Sequence, residues 1–444
     1  MKQIELLKNI SAIGFVESYY NSFWMFDDEQ ILCYNFMYRN MLMLDTDDYA
    51  LQRDGTFFLD GEIIKQLIEF QFLISDNFNE LEYYMYNFYR SAYDDSRLTL
   101  LILPTLNCNL SCPYCYENKS DINISKEIED DLLIWLRKNI ENKKILTIDW
   151  FGGEPLLCFE SIERLSVKII KLCEEYNVYY EASMTTNGYL LTEDVIKKLN
   201  TLMIKTIQIT FDGNKTEHNK QKFTYEKNGT FDIIMANVEK YCELSDNDRP
   251  LQIRINVSDS NYDSIPELLD SFSDNLKSNS FVFFRWLYPN QASGWKVYSR
   301  EKIADSPYLG IYELLQLASK KGFHIENRCD KMPYHYCEAD QPNYFTIDPR
   351  GYIYLCVHDY QPKDAIGNLK EGIYENYLSY FHKFRNVNPF NDSECQECKI
   401  LPICNGGCRK ARLNGKKECV EERQSVEAYI MNLYDKYSSI TMLP

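Results

Sequence analysis

The chain has 444 residues, of which 45% are apolar and 26% charged, and its formal net charge is −18. That is the balance of a folded protein too long for one ordinary core, so two or three domains are expected. No run reaches the ~18 uninterrupted apolar residues of a membrane span, and so acidic a field repels a phosphate backbone, which sets nucleic acid and membrane aside as partners.

Met1-Lys2-Gln3-Ile4-Glu5 lacks the charged-then-apolar run of a signal peptide, so a cytoplasmic location is expected. Residues 1–95 are rich in aromatic and acidic side chains. A hairpin turn is expected at Asp54-Gly55, then helices over Gly61–Phe72 and Phe78–Tyr89, where apolar residues recur at three- and four-residue spacing. Nothing in this block carries catalytic chemistry. From Leu98 short apolar runs alternate with amphipathic stretches. Strands are expected at Leu98–Leu103, Ile145–Trp150, Val178–Ser183, Thr206–Phe211, Leu251–Val257 and Ser280–Leu287. Helices are expected near Lys126–Asn139, Ser161–Tyr176, Thr192–Asn200, Phe231–Cys242, Asp263–Phe272 and Tyr308–Lys320. Strand-then-helix units repeated in this way predict a parallel sheet, barrel-like or doubly wound. In a barrel, chemistry gathers in the loops after the C-terminal strand ends. The remaining block, about 325 to 444, is less periodic, and the chain shows neither a solenoid repeat nor a low-complexity linker.

Fifteen cysteines are many for a protein of a reducing compartment, where metal ligation is a better explanation than disulfides. Cys33, Cys158, Cys173 and Cys242 stand alone and are expected to be small buried apolar residues. Cys108, Cys112 and Cys115 cluster just after the first strand with C-x3-C-x2-C spacing. Three thiolates on one loop can hold three irons of a [4Fe–4S] cube, whereas an ordinary electron-transfer cluster of this kind uses four. The fourth iron would be open to a chelating amino acid, such as the methionine part of S-adenosylmethionine (SAM). A zinc site short of one ligand, or chance clustering, is the alternative.

The segment Cys108–Glu117 (CNLSCPYCYE) resembles the signature loop of the radical SAM superfamily, including the aromatic Tyr114 before the third cysteine. Gly152-Gly153-Glu154-Pro155 resembles the GGEP motif whose members contact the methionyl amino group of SAM, Glu154 accepting from the ammonium. Ser183-Met184-Thr185-Thr186-Asn187-Gly188 resembles the family's TNG segment, with Ser183 and Asn187 at SAM-contacting positions. Gln208–Gly213 (QITFDG) resembles the SxDG strand end. The following stretch ends in Lys222 where relatives usually carry arginine; lysine keeps the charge for the SAM carboxylate or ribose but loses the bidentate fork. Val257 falls where an apolar residue packs on adenine. Ser183, Lys222 and Val257 each have an equally good structural reading.

Cys337, Cys356, Cys395, Cys398, Cys404, Cys408 and Cys419 form a second group. Seven or eight thiols in so short a stretch need soft metals, and the alternative is a pair of tetrahedral zinc sites. The glycine of Asp348-Pro349-Arg350-Gly351 suits a tight turn between two short strands before Cys356. The spacings resemble the SPASM signature. The resemblance implies two further [4Fe–4S] clusters, an outer one on Cys395, Cys398, Cys404 and Cys419 and an inner one on Cys337, Cys356 and Cys408. Cys329 is placed to complete the inner cluster; otherwise substrate thiolate takes that iron.

The resemblance implies an α/β fold: a partial (β/α)6 TIM-like barrel at 98–322, with an N-terminal α+β extension at 1–95, a cysteine-rich SPASM domain at 325–425 and a C-terminal helix or tail at 426–444. It also implies an oxidoreductase using three [4Fe–4S] clusters and SAM, fed by an external electron donor of flavodoxin or ferredoxin type. The expected act is radical modification of a ribosomally made precursor peptide, a thioether or other crosslink. Formylglycine formation, epimerisation and electron carriage without SAM chemistry are the alternatives. Residues 1–95 would be a leader-peptide-binding module or a structural cap. Asp212 and Arg285, the latter in the aromatic stretch Phe281–Tyr288, are the candidates for positioning substrate or taking a proton, each beside a structural reading.

Overall fold

The computed structural model describes residues 2–4, 14–46, 61–245, 251–287, 307–325, 334, 337–359, 361–417, 419–420, 423 and 426–441. The expected turn at Asp54-Gly55, Tyr288 at the end of the aromatic stretch and Cys329 lie outside them. The chain gathers into two compact units that cut across sequence order: 94–328 with 338–385, and 1–93 with 329–337 and 386–444.

The larger unit carries the repeated strand–helix pattern. Its strands are β1 (Arg97–Ile102), β2 (Ile145–Trp150), β3 (Tyr179–Thr186), β4 (Ile204–Phe211), β5 (Leu251–Val257) and β6 (Ser280–Trp286). The helices between and after them are α1 (Lys126–Asn139), α2 (Phe159–Tyr176), α3 (Glu193–Thr201), α4 (Phe231–Leu244), α5 (Ile265–Ser271) and α6 (Pro307–Lys320). Local chemistry sets several helix starts: Ser125 accepts from Ile128 N at α1 and Thr192 from Val195 N at α3. All six expected pairs are present.

The strands pair in parallel in the strict order β1 to β6. A doubly wound sheet reverses its order at a switch point, so that alternative is removed. Right-handed crossovers in sequential order place the helices on one face of the sheet. That face is apolar: Leu146, Ile148 and Trp150 of β2, Ile207, Ile209 and Phe211 of β4, and Leu251, Ile253 and Ile255 of β5 are all buried. The alternate residues are polar: Thr147 and Asp149, Glu181 and Ser183, Gln208 and Thr210, Arg254 and Asn256. Parallel sheets covered on both faces read as continuous apolar runs, so this alternation marks a face built to hold something polar. Beyond β1 lies β7 (Tyr344–Ile347), parallel to it, which turns antiparallel into β8 (Tyr352–Tyr354). The expected turn at Asp348–Gly351 closes there, with Gly351 at φ +83° and its N–H on Asp348 O at 2.9 Å.

The other unit joins the chain's beginning to its end. Strands Lys2–Ile4, Asn21–Met25, Gln30–Asn35 and Met41–Asp45 form an antiparallel sheet over a core of Phe23, Ile31, Cys33, Leu44, Leu67 and Phe72. Helix Glu80–Ala92 then buries Tyr84, Phe88 and Ala92 against Phe390, Cys395 and Leu401. Lys399 Nζ donates to Asn21 O at 2.9 Å, and the Phe26 and Tyr434 rings lie 4.7 Å apart. Among the described residues no helix is long and apolar enough to cross a membrane.

Of the four lone cysteines, Cys33, Cys173 and Cys242 are buried as expected. Cys158 is not. It is half-buried at the N-cap of α2, where its Sγ meets Asn123 Oδ1 at 3.5 Å, because a cap position sits at the rim of a helix rather than in its packed stripe.

Candidate active site

At the C-terminal edge of the sheet the loops bring the chemistry-bearing residues together. The loop after β1 carries Cys108, Cys112 and Cys115 and is pinned on two sides. Ser120 N donates to Leu106 O at 3.1 Å, and Ser111 N to Phe223 O at 2.8 Å. Lys119 Nζ closes the loop on Leu110 O at 2.5 Å. Burial pushes the Cys108 thiol up to about 12 and the Cys112 thiol up to about 11, and raises Cys115 as well, against the pull of Lys119 and Lys222. Metal-free, these groups are therefore neutral thiols; cationic iron would be needed to hold them as thiolates.

After β2 come Gly152, Gly153 and Glu154. The two glycines exist for the cysteine loop itself. A Cβ on Gly153 would stand 2.1 Å from Asn107 O, and one on Gly152, at φ +108°, 2.5 Å from Thr105 O. Glu154 N donates to Asn107 O at 2.9 Å across that contact. The Glu154 carboxylate is fully buried and accepts from Leu156 N at 3.0 Å, Thr186 Oγ1 at 2.7 Å and Asn187 N at 2.8 Å. Desolvation raises its pKa, and these three donors pull it back. A carboxylate offers about four acceptor positions, so one is left over for a ligand cation. Pro155 is buried at the start of the short turn Pro155–Cys158.

After β3, Asn187 Nδ2 donates to Asn109 Oδ1 at 2.8 Å and lies 3.9 Å from Cys108 Sγ. Asn109 Nδ2 on the same loop is buried without a hydrogen-bond partner. Ser183 Oγ donates to Asp149 Oδ1, its register partner on β2.

After β4, Asp212 is fully buried and ties four elements. It accepts from Tyr114 OH at 2.9 Å and Asn256 Nδ2 at 2.9 Å, and Lys222 Nζ stands 3.7 Å away. Lys222 Nζ donates to Thr210 O at 2.6 Å. The Asp212 N–H points to His218 Nδ1 at 3.4 Å, and Asn256 Oδ1 accepts from Arg254 Nε at 2.9 Å. Val257 is fully buried at the end of β5. Arg285 on β6 is half-buried, donates to Phe284 O at 2.9 Å and stacks over Phe283.

The geometry thus brings together Cys108, Cys112, Cys115, Tyr114, Glu154, Asn187, Asp212 and Lys222. Ser183 lies within β3, before its C-terminal end, and Arg285 contacts Phe283 and Phe284 on its own strand. Lys119, Arg254 and Asn256 belong to the site but carry no motif, and Asn109 lies within the cysteine motif at a position that the C-x3-C spacing leaves open; the polar alternation of β5 is the signal that would have found Arg254 and Asn256.

The donor set fits an iron–sulfur cluster: three thiols on one pinned loop, beside two cations and an orphan amide. Cys395, Cys398, Cys404 and Cys419 lie in one compact unit, where Arg412 Nη2 stands 3.1 Å from Cys395 Sγ and Arg423 Nη1 2.9 Å from Cys419 Sγ. Among the described residues no three His, Cys, Asp or Glu close around a single metal ion; a cubane asks less, since each thiolate takes a different iron. Of the proposed inner set, Cys356 lies in the larger unit and Cys337 and Cys408 in the other.

Residues 102–272 match the family model of the Radical SAM superfamily. The chain is similar to the radical SAM cyclopropyl synthase TigE of Paramaledivibacter caminithermalis, 23% identical over 420 residues covering 86% of this chain and 83% of that one. It is also similar to a cysteine-type anaerobic sulfatase-maturating enzyme of Clostridium novyi, 23% identical over 345 residues, 70% of this chain and 88% of the other. Among solved structures, anSMEcpe with bound AdoMet gives a TM-score of 0.59 at 19% identity, over 78% of this chain and 95% of its own. Streptococcus suis SuiB bound to precursor peptide SuiA gives 0.52 at 19% identity, over 92% of this chain and 99% of its own. At these identities the solved structures show a shared fold.

Proposed function

We propose that this chain, which carries a radical SAM domain at residues 102–272, is an oxidoreductase that modifies a ribosomally made peptide by forming a thioether or other crosslink. The observation that carries the reading is the joining of the cysteine loop, Glu154 and Asn187 by hydrogen bonds at one edge of a sheet whose free face is polar. When bound, a [4Fe–4S] cluster on Cys108, Cys112 and Cys115 and a SAM molecule supply a 5′-deoxyadenosyl radical for hydrogen abstraction.

The chain's residues orient and shield. Glu154 offers its remaining acceptor position to the methionyl ammonium, with Gly152, Gly153 and Pro155 fixing its approach. Asn187 and Ser183 present polar edges to SAM, and Val257 an apolar one. Tyr114 is held in place by Asp212, which accepts from it on one oxygen and from Asn256 on the other; Asp212 serves here as a positioning residue. Lys222 supplies positive charge beside Cys112 and Cys115, and Arg285 meets substrate at the end of β6. A SPASM domain following a partial (β/α)6 barrel would carry the two further clusters, the outer on Cys395, Cys398, Cys404 and Cys419. The inner one, on Cys337, Cys356 and Cys408 with Cys329, rests on sequence spacing. A flavodoxin- or ferredoxin-type donor would supply electrons.

Support for a peptide comes from the relatives: the SuiB structure holds a precursor peptide, and its likeness takes in 92% of this chain against 78% for anSMEcpe. The test is anaerobic reconstitution followed by assay for 5′-deoxyadenosine with SAM, reductant and the peptide encoded beside the gene. The expected product is lighter by two hydrogens per crosslink. Unchanged mass would point to epimerisation, turnover of a short C-x-P-x-R peptide to formylglycine formation, and absence of deoxyadenosine to an electron carrier.

A further inference from the structure

Resting on the reading that Cys395, Cys398, Cys404 and Cys419 hold a cluster, we propose that Arg412 and Arg423 are positioning residues that set its reduction potential. They hold it above the value that four thiolates alone would give. Arg412 Nη2 lies 3.1 Å from Cys395 Sγ, and Arg423 Nη1 lies 2.9 Å from Cys419 Sγ. Both are charged N–H donors aimed at sulfur.

Arg412 is held inside the fold, whereas Arg423 is exposed and held from outside by a carboxylate. Arg412 is only 12% exposed; its Nε donates to Gly406 O and its Nη1 reaches Asp392 Oδ2 at 3.3 Å. Arg423 Nη2 donates to Glu394 Oε1 at 3.0 Å. The two carboxylates are shared with a third cation, since Lys417 Nζ stands 2.8 Å from Asp392 and 2.7 Å from Glu394. Three cations against two carboxylates leave one positive charge beside the sulfurs. By contrast, the N–H groups that reach Cys108 Sγ are neutral, the peptide N–H of Leu110 at 3.5 Å and the Asn187 amide at 3.9 Å.

Reduction adds one electron, taken from the donor, to a core that its thiolates already make negative. Hydrogen bonds to sulfur and nearby positive charge stabilise the reduced form more than the oxidised form, which raises the potential. An outer cluster tuned in this way accepts an electron released elsewhere in the reaction more readily than it gives one back.

The test uses the full chain, reconstituted without oxygen, and a redox titration followed by electron paramagnetic resonance. The signal missing from Cys419→Ala is assigned to the outer cluster. In Arg412→Gln and in Arg423→Gln its reduced-to-oxidised ratio at fixed potential is expected to fall about tenfold, equivalent to a midpoint lower by ~59 mV for one electron. Arg412→Lys and Arg423→Lys should lie between, because lysine keeps the charge and loses the fork. If Cys419→Ala lacks no signal, the cluster assignment itself fails. If the signal is present and the midpoint is the same in all four variants, the tuning role is overturned while the cluster stands. Should the glutamine proteins fail to hold iron, the lysine proteins decide, an unmoved midpoint again being the contrary result.

Discussion

Replacing Gly153 by alanine asks how tightly the cysteine loop is seated. The new Cβ would lie 2.1 Å from Asn107 O, 2.6 Å from Asn107 C and 3.1 Å from Leu106 C, all backbone atoms that no rotamer change can move. Ordinary contact begins near 3.4 Å, so the loop must withdraw by the difference, 1.3 Å. Two hydrogen bonds cross this contact, Gly153 N to Thr105 O at 3.3 Å and Glu154 N to Asn107 O at 2.9 Å. Losing them costs ~1 kcal/mol each, and forcing the overlap ~1–3 more. A total of about 3–5 kcal/mol lowers Tm by roughly 10 °C in a unit of this size. Because Cys108 follows Asn107 directly, the shift is also expected to empty the first cluster, read as the iron that a Cys108→Ala, Cys112→Ala, Cys115→Ala protein lacks. Gly322→Ala is the control: at φ +92° with nothing within 4 Å, it pays only backbone strain of ~1–2 kcal/mol. If Gly153→Ala keeps its full iron and melts no lower than the control, the seating argument is wrong.

Glu154→Gln replaces one acceptor oxygen by a donor that faces Leu156 N and Thr186 Oγ1 or Asn187 N, and removes the charge for an ammonium. Isothermal titration should show SAM affinity weaker by ~10- to 100-fold, in line with hydrogen bonds to charged groups; unchanged affinity would remove Glu154 from the site. Burial holds His218 neutral, its pKa lowered to about 3, while the unfolded chain takes up that proton near pH 6.5. Stability therefore rises with pH from about 3 to about 6.5 and is lost as acid is added, by ~1.4 kcal/mol between pH 7.5 and 5.5. Urea midpoints at the two pH values should show that increment in the parent and not in His218→Gln; equal acid sensitivity would contradict it. Leu401→Ala empties a 1% exposed position in the core shared with Tyr84 and Phe88, at ~2–5 kcal/mol. Hydrogen exchange should then quicken in the distant helix Glu80–Ala92; protection unaltered there would mean that the two segments do not fold as one.

The strand–helix pattern of the larger unit was legible because β2, β3 and β4 alternate buried with half-exposed residues and helices such as α1 and α3 open on a Ser or Thr cap. The same alternation held more than was taken from it. Arg254 and Asn256 stand out as polar residues on a parallel strand, and their place beside Asp212 follows from register with β4. The gathering of Cys108, Cys112 and Cys115 at one sheet edge was legible through spacing, since three thiols on one loop are local. What resisted reading was non-local. No periodicity announces that Tyr84 and Phe88 pack on Phe390 and Leu401, so the division into compact units could not follow the three consecutive blocks suggested by composition. Gly152-Gly153 were legible as part of a ligand-contacting motif, but what presses on them is the backbone of Thr105 and Asn107.

The core shared by the two chain ends has a consequence for how the protein is made. Residues 1–93 leave the ribosome 293 residues before residue 386 is added, an interval of roughly 15–60 s at translation rates of ~5–20 residues per second. For that time Tyr84, Phe88 and Ala92 lack Phe390, Cys395 and Leu401 and have only part of their cover, and residues 1–93 wait as a sticky, half-built fragment. A gene shortened before codon 386 should accordingly yield inclusion bodies rather than a tractable N-terminal domain, and slower elongation of the middle of the message should worsen the yield of the whole protein.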